Sequence, residues 1–225
     1  VALPYGRQLI DEEDIAEVTR VLRSDWLTTG PEVAAFEAEL ATRCGVRFAI
    51  AVSNGTAALH CAYAAAGLGK GDELVTSPLT FSATANMAVA LEAKVRFVDI
   101  DAETSCMSMA ELRRAIANGA RPKVIAAVDF GGHPCVTNEL VEIARSVGAV
   151  IVEDGAHSLG TTYCGKHIGA LSDMTTLSFH PVKTITTGEG GAILTNNEEL
   201  ARKCREFRNH GVVRDAARWE DNPGP

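Results

Sequence analysis

The chain has 225 residues, of which 46% are hydrophobic and 22% charged, and these proportions are those of an ordinary soluble globular protein. The length suffices for one α/β domain, or two small ones, with a sizeable core. The formal net charge of −8, without a basic stripe, argues against nucleic acid as a partner.

The first residues show no basic segment followed by an apolar one, and no stretch has the length of a membrane span. Six cysteines lie far apart and form no CxxC pair, so the pattern indicates neither a zinc site nor a redox motif. We therefore expect free thiols, a cytoplasmic location, and no metal and no membrane partner.

Apolar periodicity predicts two helices in the N-terminal region. The first covers residues 11–23, with an acidic first turn and with apolar residues on one face at Ile15, Val18, Val21 and Leu22. Residues 24–31 break it. Pro31 suits the first turn of a second helix, which is predicted to face the core through Val33, Phe36 and Leu40.

Further along the chain, apolar runs alternate with helical segments. The predicted strands are 48–52, 73–76, 95–98, 124–128, 149–152, 175–179 and 192–195. The predicted helices are 57–66, 81–91, 109–117, 137–147 and 198–209. This alternation indicates an α/β fold with a mostly parallel central sheet flanked by helices. Residues 214–225 lose the periodicity and end in Pro-Gly-Pro, which is typical of a linker or a loose terminus.

A carboxylate and a lysine are predicted to meet at one edge of this sheet. Asp154 follows an apolar strand, and Lys183 lies in a polar loop just past another. Ligands of open α/β sheets bind at the carboxyl ends of the strands. Lysine can form a Schiff base there, and enzymes that use pyridoxal 5'-phosphate (PLP) pair it with an acid facing the pyridine nitrogen. Taken alone, Asp154 could equally be a cap or a surface carboxylate, and His157 a structural residue.

Two other segments allow a functional and a structural interpretation. Residues 53–57 (SNGTA) join a strand to a helix, where free N–H groups and the Thr56 hydroxyl could hold a phosphate. An ordinary N-cap is the alternative. Phe81 could stack on a planar cofactor, or it could be a staple or core residue. Ser178 could add a hydroxyl to the phosphate site.

The order and spacing of five segments identify a family resemblance. SNGTAALH, TSPLTFSATANM, FVDID, VEDGAHSLG and SFHPVKTITTGEGGAILTN resemble the DegT/StrS-type sugar aminotransferases, which are PLP enzymes of the type I aminotransferase fold. The opening 29 residues from Leu3 are similar to the branch that makes UDP-4-amino-4,6-dideoxy-N-acetyl-β-L-altrosamine for pseudaminic acid. The resemblance implies that residues 1–213 form the large PLP-binding domain, that 214–225 lead toward a smaller C-terminal domain, and that this second domain is absent from the chain.

The resemblance also implies roles for individual residues. Lys183 would form the Schiff base, Asp154 would face the pyridinium nitrogen, and His157 would lie beside the ring. The other residues implied to bind the cofactor are Phe81, stacked on the ring, and the phosphate-binding Gly55, Thr56, Ala57 and Ser178. The residues implied to lie on the sugar-nucleotide side are Tyr5, Asp25, Trp26, Leu27 and Thr28.

The implied activity is the transfer of an amino group from L-glutamate to the C4 ketone of a UDP-linked 4-keto-6-deoxy-N-acetylhexosamine, in a homodimer with shared active sites. Three alternatives remain at this point. The chain could act on another keto sugar or at C3, or it could be a truncated PLP-binding domain without activity of its own. Two further classes are disfavoured. A related dehydratase carries histidine in place of the lysine, so Lys183 argues against it. A nicotinamide-binding domain is not expected, because this chain has no G-x-G-x-x-G after its first strand.

Overall fold

The structure is a computed structural model, and it describes residues 6–212. The helices are α1 (Glu12–Leu22), α2 (Pro31–Cys44), α3 (Gly55–Ala65), α4 (Ala83–Ala90), α5 (Met109–Ala117), α6 (Asn138–Val147) and α7 (Glu198–Arg208). The strands are β1 (Phe48–Val52), β2 (Glu73–Thr76), β3 (Lys94–Phe97), β4 (Pro122–Val128), β5 (Val150–Asp154), β6 (Thr162–Tyr163), β7 (Lys166–His167), β8 (Met174–Ser178) and β9 (Gly191–Thr195). A short 3₁₀ turn covers Phe130–Gly132.

Seven strands form one sheet in the order β1-β9-β8-β5-β4-β2-β3. All pairings are parallel except those of β9, which runs antiparallel to both of its neighbours. The prediction of a mostly parallel sheet is therefore confirmed. The carboxyl ends of β1, β2, β4, β5 and β8 all lie at one edge, and the loops that follow them supply the site described below.

Helices cover both faces of the sheet. Residues of α3, α4 and α7 pack on one face, where Tyr63 is fully buried beside Ile50 and Leu74. Residues of α5 and α6 pack on the other face against Val75, and α2 continues that layer near β1 and β9. Each buried strand is apolar on both faces because helices cover both, which explains the continuous apolar runs in the sequence.

Most predicted boundaries differ from the observed ones by one or two residues. Helix α3 begins at Gly55 because the Asn54 side chain accepts the N–H of Ala57 at 2.7 Å and so caps the helix. Helix α4 begins at Ala83, two residues after the predicted start. The hairpin of β6 and β7 was not predicted, since strands of two residues carry no periodicity.

Helix α1 does form, with Asp11 as its N-cap in a capping box with Asp14. Its predicted apolar face is mostly exposed in the described segment, because Ile15, Val18 and Leu22 are exposed and only Val21 is partly buried. The prediction for α2 is met in part, because Leu40 is buried and Phe36 is packed against the core, whereas Val33 is largely exposed.

The outer side of edge strand β1 is protected by an ion pair. The carboxylate of Glu37 on α2 accepts the N–H of Ala51 at 2.9 Å and pairs with Arg208, which also donates to the Ala51 carbonyl at 3.0 Å. Unpaired edge groups would otherwise be left half-buried. The three residues thus join α2, β1 and α7.

We expect Glu37→Ala to lower the free energy of unfolding by about 1–3 kcal/mol, since it leaves the N–H of Ala51 and the guanidinium of Arg208 without this partner in a partly buried place. Urea unfolding monitored by circular dichroism measures the change. Glu39→Ala is the matched control, because Glu39 pairs with Arg43 on the exposed side of the same helix. Equal losses in the two variants would contradict the assignment.

Candidate active site

A cavity of about 640 Å³ opens at the carboxyl edge of the sheet. Its volume is in the range of small-molecule sites. The walls come from the loops after five strands: Gly55 and Thr56 after β1, Phe81 after β2, Phe130 after β4, His157 after β5, and Ser178 and Lys183 at and after β8. Residues as far apart in sequence as Gly55 and Lys183 therefore line one cavity.

Lys183 lies in a loop that leaves β8 and returns to β9. The backbone of this loop is held at its base, where the N–H of Phe179 donates to Gly190 and the N–H of Thr187 donates to Phe179. Burial lowers the pKa of the Lys183 ammonium, and the nearby charge of Asp154 opposes this effect. A lowered pKa enlarges the fraction of free amine, which is the form that attacks a carbonyl.

Asp154 ends β5 and is only 6% exposed. Its Oδ2 accepts the hydroxyl of Thr84 at 2.7 Å, and its Oδ1 accepts the N–H of Ala156 at 3.3 Å. Burial raises the pKa of this carboxyl, while the Thr84 bond and the charges of Lys183 and His157 act in the opposite direction. A buried acid with so few donors fits a site where a cationic ligand group completes its environment.

The adjacent Glu153 points to the opposite face of the sheet, because side chains alternate along a strand. It is 3% exposed, and its Oε2 accepts the hydroxyl of Thr175, the hydroxyl of Ser172 at 3.1 Å and the N–H of Gly169 at 3.0 Å. The two adjacent acids therefore have different surroundings. Asp154 lines the cavity, and Glu153 is buried on the other face of the sheet.

Glu153 has a second buried carboxyl as its neighbour. Asp129, 1% exposed, accepts the N–H of Cys135 at 2.8 Å and the hydroxyl of Ser158 at 2.7 Å. Burial, and after it the charge of Glu153, raise the pKa of Asp129 well above its usual value. Asp129 acts in turn to lower the pKa of Glu153, so the pair favours a proton on Asp129 and a charge on Glu153.

This arrangement predicts a pH-dependent effect of Asp129→Asn. An acid whose pKa is raised by folding costs stability as pH increases from its unfolded pKa of about 3.9 toward the folded value. Asparagine keeps an acceptor for the N–H of Cys135 but cannot ionise. We therefore expect the variant to gain stability relative to the parent chain as pH rises from about 4 upward.

Urea unfolding at a series of pH values measures this difference. Asp173→Asn is the control, since Asp173 also accepts a backbone N–H, that of Ile151 at 2.8 Å, but is exposed. A pH-independent difference for Asp129→Asn would show that Asp129 is ionised in the folded chain throughout this range.

The N-terminus of α3 combines the helix cap and the free backbone N–H groups that were the two interpretations of residues 53–57. Asn54 caps the helix through its side chain and accepts the N–H of Ala57, so that amide already has a partner. The amides of Gly55 and Thr56 precede it in the first turn and line the cavity. The N–H groups of Gly55 and Thr56 therefore have the clearer access to a phosphate, and the phosphate contact predicted for Ala57 stays a prediction.

Close backbone packing shapes this end of the cavity to accept a ligand. A Cβ on Gly55 would lie 2.9 Å from Cβ of Ser178, and a Cβ on Gly191 would lie 2.5 Å from the backbone of Asn54. Only glycine lets the first turn of α3 and the end of β8 approach this closely. The donors of Gly55, Thr56 and Ser178 thus converge, as a phosphate requires, and together with Lys183 and Asp154 they fit PLP.

Phe81 is 76% exposed and lines the cavity. The alternative that it is a core residue is wrong, and its ring is available to a planar ligand. His157 also lines the cavity and is exposed. Burial of part of its ring and the charge of Lys183 lower its pKa, against the effect of Asp154. Both residues line the cavity, and their contact with a cofactor ring stays a prediction.

The structure does not bring the residues predicted for the sugar-nucleotide side to the cavity within the described part of the chain. Tyr5 lies outside the described residues. Asp25, Trp26, Leu27 and Thr28 form an exposed segment between α1 and α2 and are not among the residues that line the cavity. Gly6 approaches the lysine loop, since a Cβ built on it would lie 3.8 Å from Cα of Val182.

Several cavity residues were not predicted from the sequence: Thr80, Asp129, Phe130, His180 and Glu189. Asp129 and Phe130 directly follow β4, so the rule that ligand-binding residues follow parallel strands could have found them. Within residues 6–212, no group of three or more His, Cys, Asp or Glu side chains could hold a metal ion, and no helix is long and apolar enough to cross a membrane. All six cysteines are free thiols.

Comparisons with known proteins find sugar aminotransferases that are similar to this chain. A Campylobacter jejuni protein named UDP-4-amino-4,6-dideoxy-N-acetyl-beta-L-altrosamine transaminase is 40% identical over 212 residues, 94% of this chain and 56% of that protein. Helicobacter pylori PseC, titled an aminotransferase involved in the biosynthesis of pseudoaminic acid, superimposes with a TM-score of 0.90 at 31% identity over 96% of this chain and 58% of PseC. A structure titled as the PLP form of Spr1654 from Streptococcus pneumoniae gives 0.88 at 30% identity, over 96% of this chain and 60% of that one.

The chain spans about half the length of the curated relatives it matches, between 54% and 56%. The expected type I aminotransferase fold is confirmed by the solved neighbours, and the aminotransferases of this family use PLP. The sequence pattern of the family matches residues 8–224, nearly the whole chain, so the resemblance seen in the sequence is confirmed. The chain belongs to the DegT/DnrJ/EryC1/StrS aminotransferase family.

Proposed function

We propose that this chain is the cofactor-binding part of a PLP-dependent nucleotide-sugar aminotransferase, with L-glutamate as amino donor and the C4 ketone of a UDP-linked 4-keto-6-deoxy-N-acetylhexosamine as acceptor. The observation that carries the proposal is the convergence of Lys183, Asp154 and the N-terminus of α3 on one cavity. The names of the Campylobacter and Helicobacter relatives support the choice of sugar and the link to pseudaminic acid.

In this proposal, one end of the cavity binds the phosphate of the cofactor and the other end binds its ring. The amides of Gly55 and Thr56 and the hydroxyl of Ser178 bind the phosphate, aided by the positive end of the α3 dipole. Asp154 holds a proton on the ring nitrogen through its carboxylate, and Phe81 and His157 bound the ring. PLP, when bound, supplies an electron sink for the carbon from which a proton is removed.

Lys183 has two tasks. Its Nζ would hold the cofactor through the carbonyl carbon, and its free amine would take the proton from the donor α-carbon and pass it to that cofactor carbon. The lowered pKa of Lys183 suits the second task, because a base must be unprotonated to accept a proton. The same transfer in reverse delivers the proton to the sugar carbon that receives the amine.

The acceptor is tested by competition. UDP-linked sugars with the ketone at C4 or at C3 are supplied together with L-glutamate, and the product is identified by mass spectrometry and NMR. Amination at C4 supports the proposal, and amination at C3 or only of another nucleotide sugar contradicts it. Replacing L-glutamate by L-glutamine tests the donor in the same assay.

We also propose a homodimer with shared active sites and a sugar-nucleotide contact from Tyr5 and the segment Asp25, Trp26, Leu27 and Thr28. A second candidate is a PLP-binding domain without activity of its own. PLP binding together with the absence of turnover on every keto sugar would select this candidate, and gel filtration measures the assembly.

A further inference from the structure

Asp154 receives its strongest contact from a residue to which the family resemblance gave no role. Thr84, in the first turn of α4, is completely buried, and its Oγ1 lies 2.7 Å from Oδ2 of Asp154. The α4 segment is itself anchored, because the hydroxyl of Tyr63 donates to the carbonyl of Thr84 at 3.0 Å. The Thr84 hydroxyl is thus held in front of the carboxylate.

A second hydroxyl determines the direction of this hydrogen bond. The oxygens of Thr80 and Thr84 lie 2.7 Å apart, and either could be the donor. An ionised carboxylate can only accept, so the single hydrogen of Thr84 must go to Asp154. Thr80 must then donate its own hydrogen to Thr84. An ionised Asp154 therefore fixes the direction of the chain from Thr80 through Thr84 to Asp154, whereas a neutral carboxyl could also donate to Thr84.

The charged and titratable groups around Asp154 are few. Lys183 and His157 face it from the cavity and favour the ionised form, and the fully buried Tyr63 hydroxyl is its titratable neighbour on α3. Burial acts against ionisation and is the larger effect. Loss of the Thr84 donor would therefore move the equilibrium further toward the neutral acid.

We propose that Thr84, oriented by Thr80, is a positioning residue that keeps Asp154 ionised, so that the shared proton resides on the cofactor's ring nitrogen and not on the carboxyl group. The effect on the ring nitrogen rests on the proposed function, whereas the effect of Thr84 on the charge of Asp154 does not. Without the Thr84 donor, Asp154 becomes a stronger base and competes with the ring nitrogen for the proton.

The test compares Thr84→Val, which keeps the shape but removes the donor, with Thr84→Ser, which restores it. The pKa of Asp154 is measured by ¹³C NMR on the chain labelled at the aspartate carboxyl carbons, with the signal assigned by Asp154→Asn. We expect the pKa to rise by about 1–2 units in Thr84→Val, as expected for a lost hydrogen bond to a charged group, and to return close to the parent value in Thr84→Ser.

Tyr63→Phe is the matched control, since it removes a buried hydrogen bond to the same turn of α4 but leaves both threonine hydroxyls. An equal rise of the Asp154 pKa in Tyr63→Phe would mean that Thr84 acts only by packing, and no rise in Thr84→Val would overturn the proposal. If Thr84→Val does not fold, Thr80→Val serves instead, with a smaller rise expected and no rise again overturning the proposal.

The same variants are then titrated with PLP bound. A neutral ring withdraws less charge from the imine nitrogen, so the pH midpoint of the visible absorbance should move upward in Thr84→Val and not in Thr84→Ser. The two proposals fail separately: if PLP does not attach to Lys183 in the parent chain, the proposed function fails, while the NMR titration without PLP still decides the role of Thr84.

Discussion

Replacement of Lys183 by alanine should abolish the covalent attachment of PLP and all turnover. The lysine faces the cavity near Asp154, burial lowers its pKa, and no other lysine lines this cavity within the described residues. Alanine removes both the amine that attaches to the cofactor and the base that moves the proton. The turnover expected is at the level of the uncatalysed reaction.

The measurement is the visible absorbance of the chain with PLP, before and after borohydride, followed by peptide mass mapping. The parent chain should carry the reduced adduct on Lys183, and Lys183→Ala should carry none. Lys166→Ala is the control, because Lys166 lies on the exposed β6–β7 hairpin. Retained turnover with bound PLP in Lys183→Ala would refute the assigned role, and an adduct on another lysine would relocate the site.

Replacement of Asp154 by asparagine should lower kcat by at least about 10²- to 10³-fold, the loss usual when a preorganised electrostatic group is removed from an active site. Asparagine has nearly the same shape and can still accept from Thr84, but it cannot stabilise a positive ring nitrogen. The ring then loses its proton and with it most of its capacity to accept electrons. PLP should still attach to Lys183 and show an altered absorbance.

Stability separates this catalytic role from a structural one. Burial already disfavours the charge of Asp154, so the cofactor-free Asp154→Asn chain should be at least as stable as the parent chain at neutral pH. Urea unfolding without PLP measures this, and Asp173→Asn is the exposed control. A large loss of stability together with unchanged kcat would show that Asp154 supports the fold and not the reaction.

The sequence by itself predicted those features that depend on neighbouring residues in the chain, namely the strands and the residues that directly follow them. The buried strands were predicted within two residues, because helices cover both faces of the sheet and leave continuous apolar runs. The lysine after β8 and the acid at the end of β5 were predicted as one site because parallel strands end at one edge. The family motifs then suggested the cofactor, as the comparisons later supported.

Only the tertiary structure showed which partners the buried carboxyl groups have. The alternation of side chains sends Glu153 and Asp154 to opposite faces, and the register of β4 beside β5 then brings Asp129 against Glu153. The packing of α4 on the sheet places Thr84 on Asp154, 70 residues away in sequence.

These contacts depend on strand register and helix placement, which set distances of a few ångströms between segments far apart in the chain. No residue type or spacing in the sequence carries that information. The sequence therefore determined the fold class and the residues at the edge of the sheet, and the packing of the helices against the sheet decided which of their charges are buried, paired and held by hydrogen bonds.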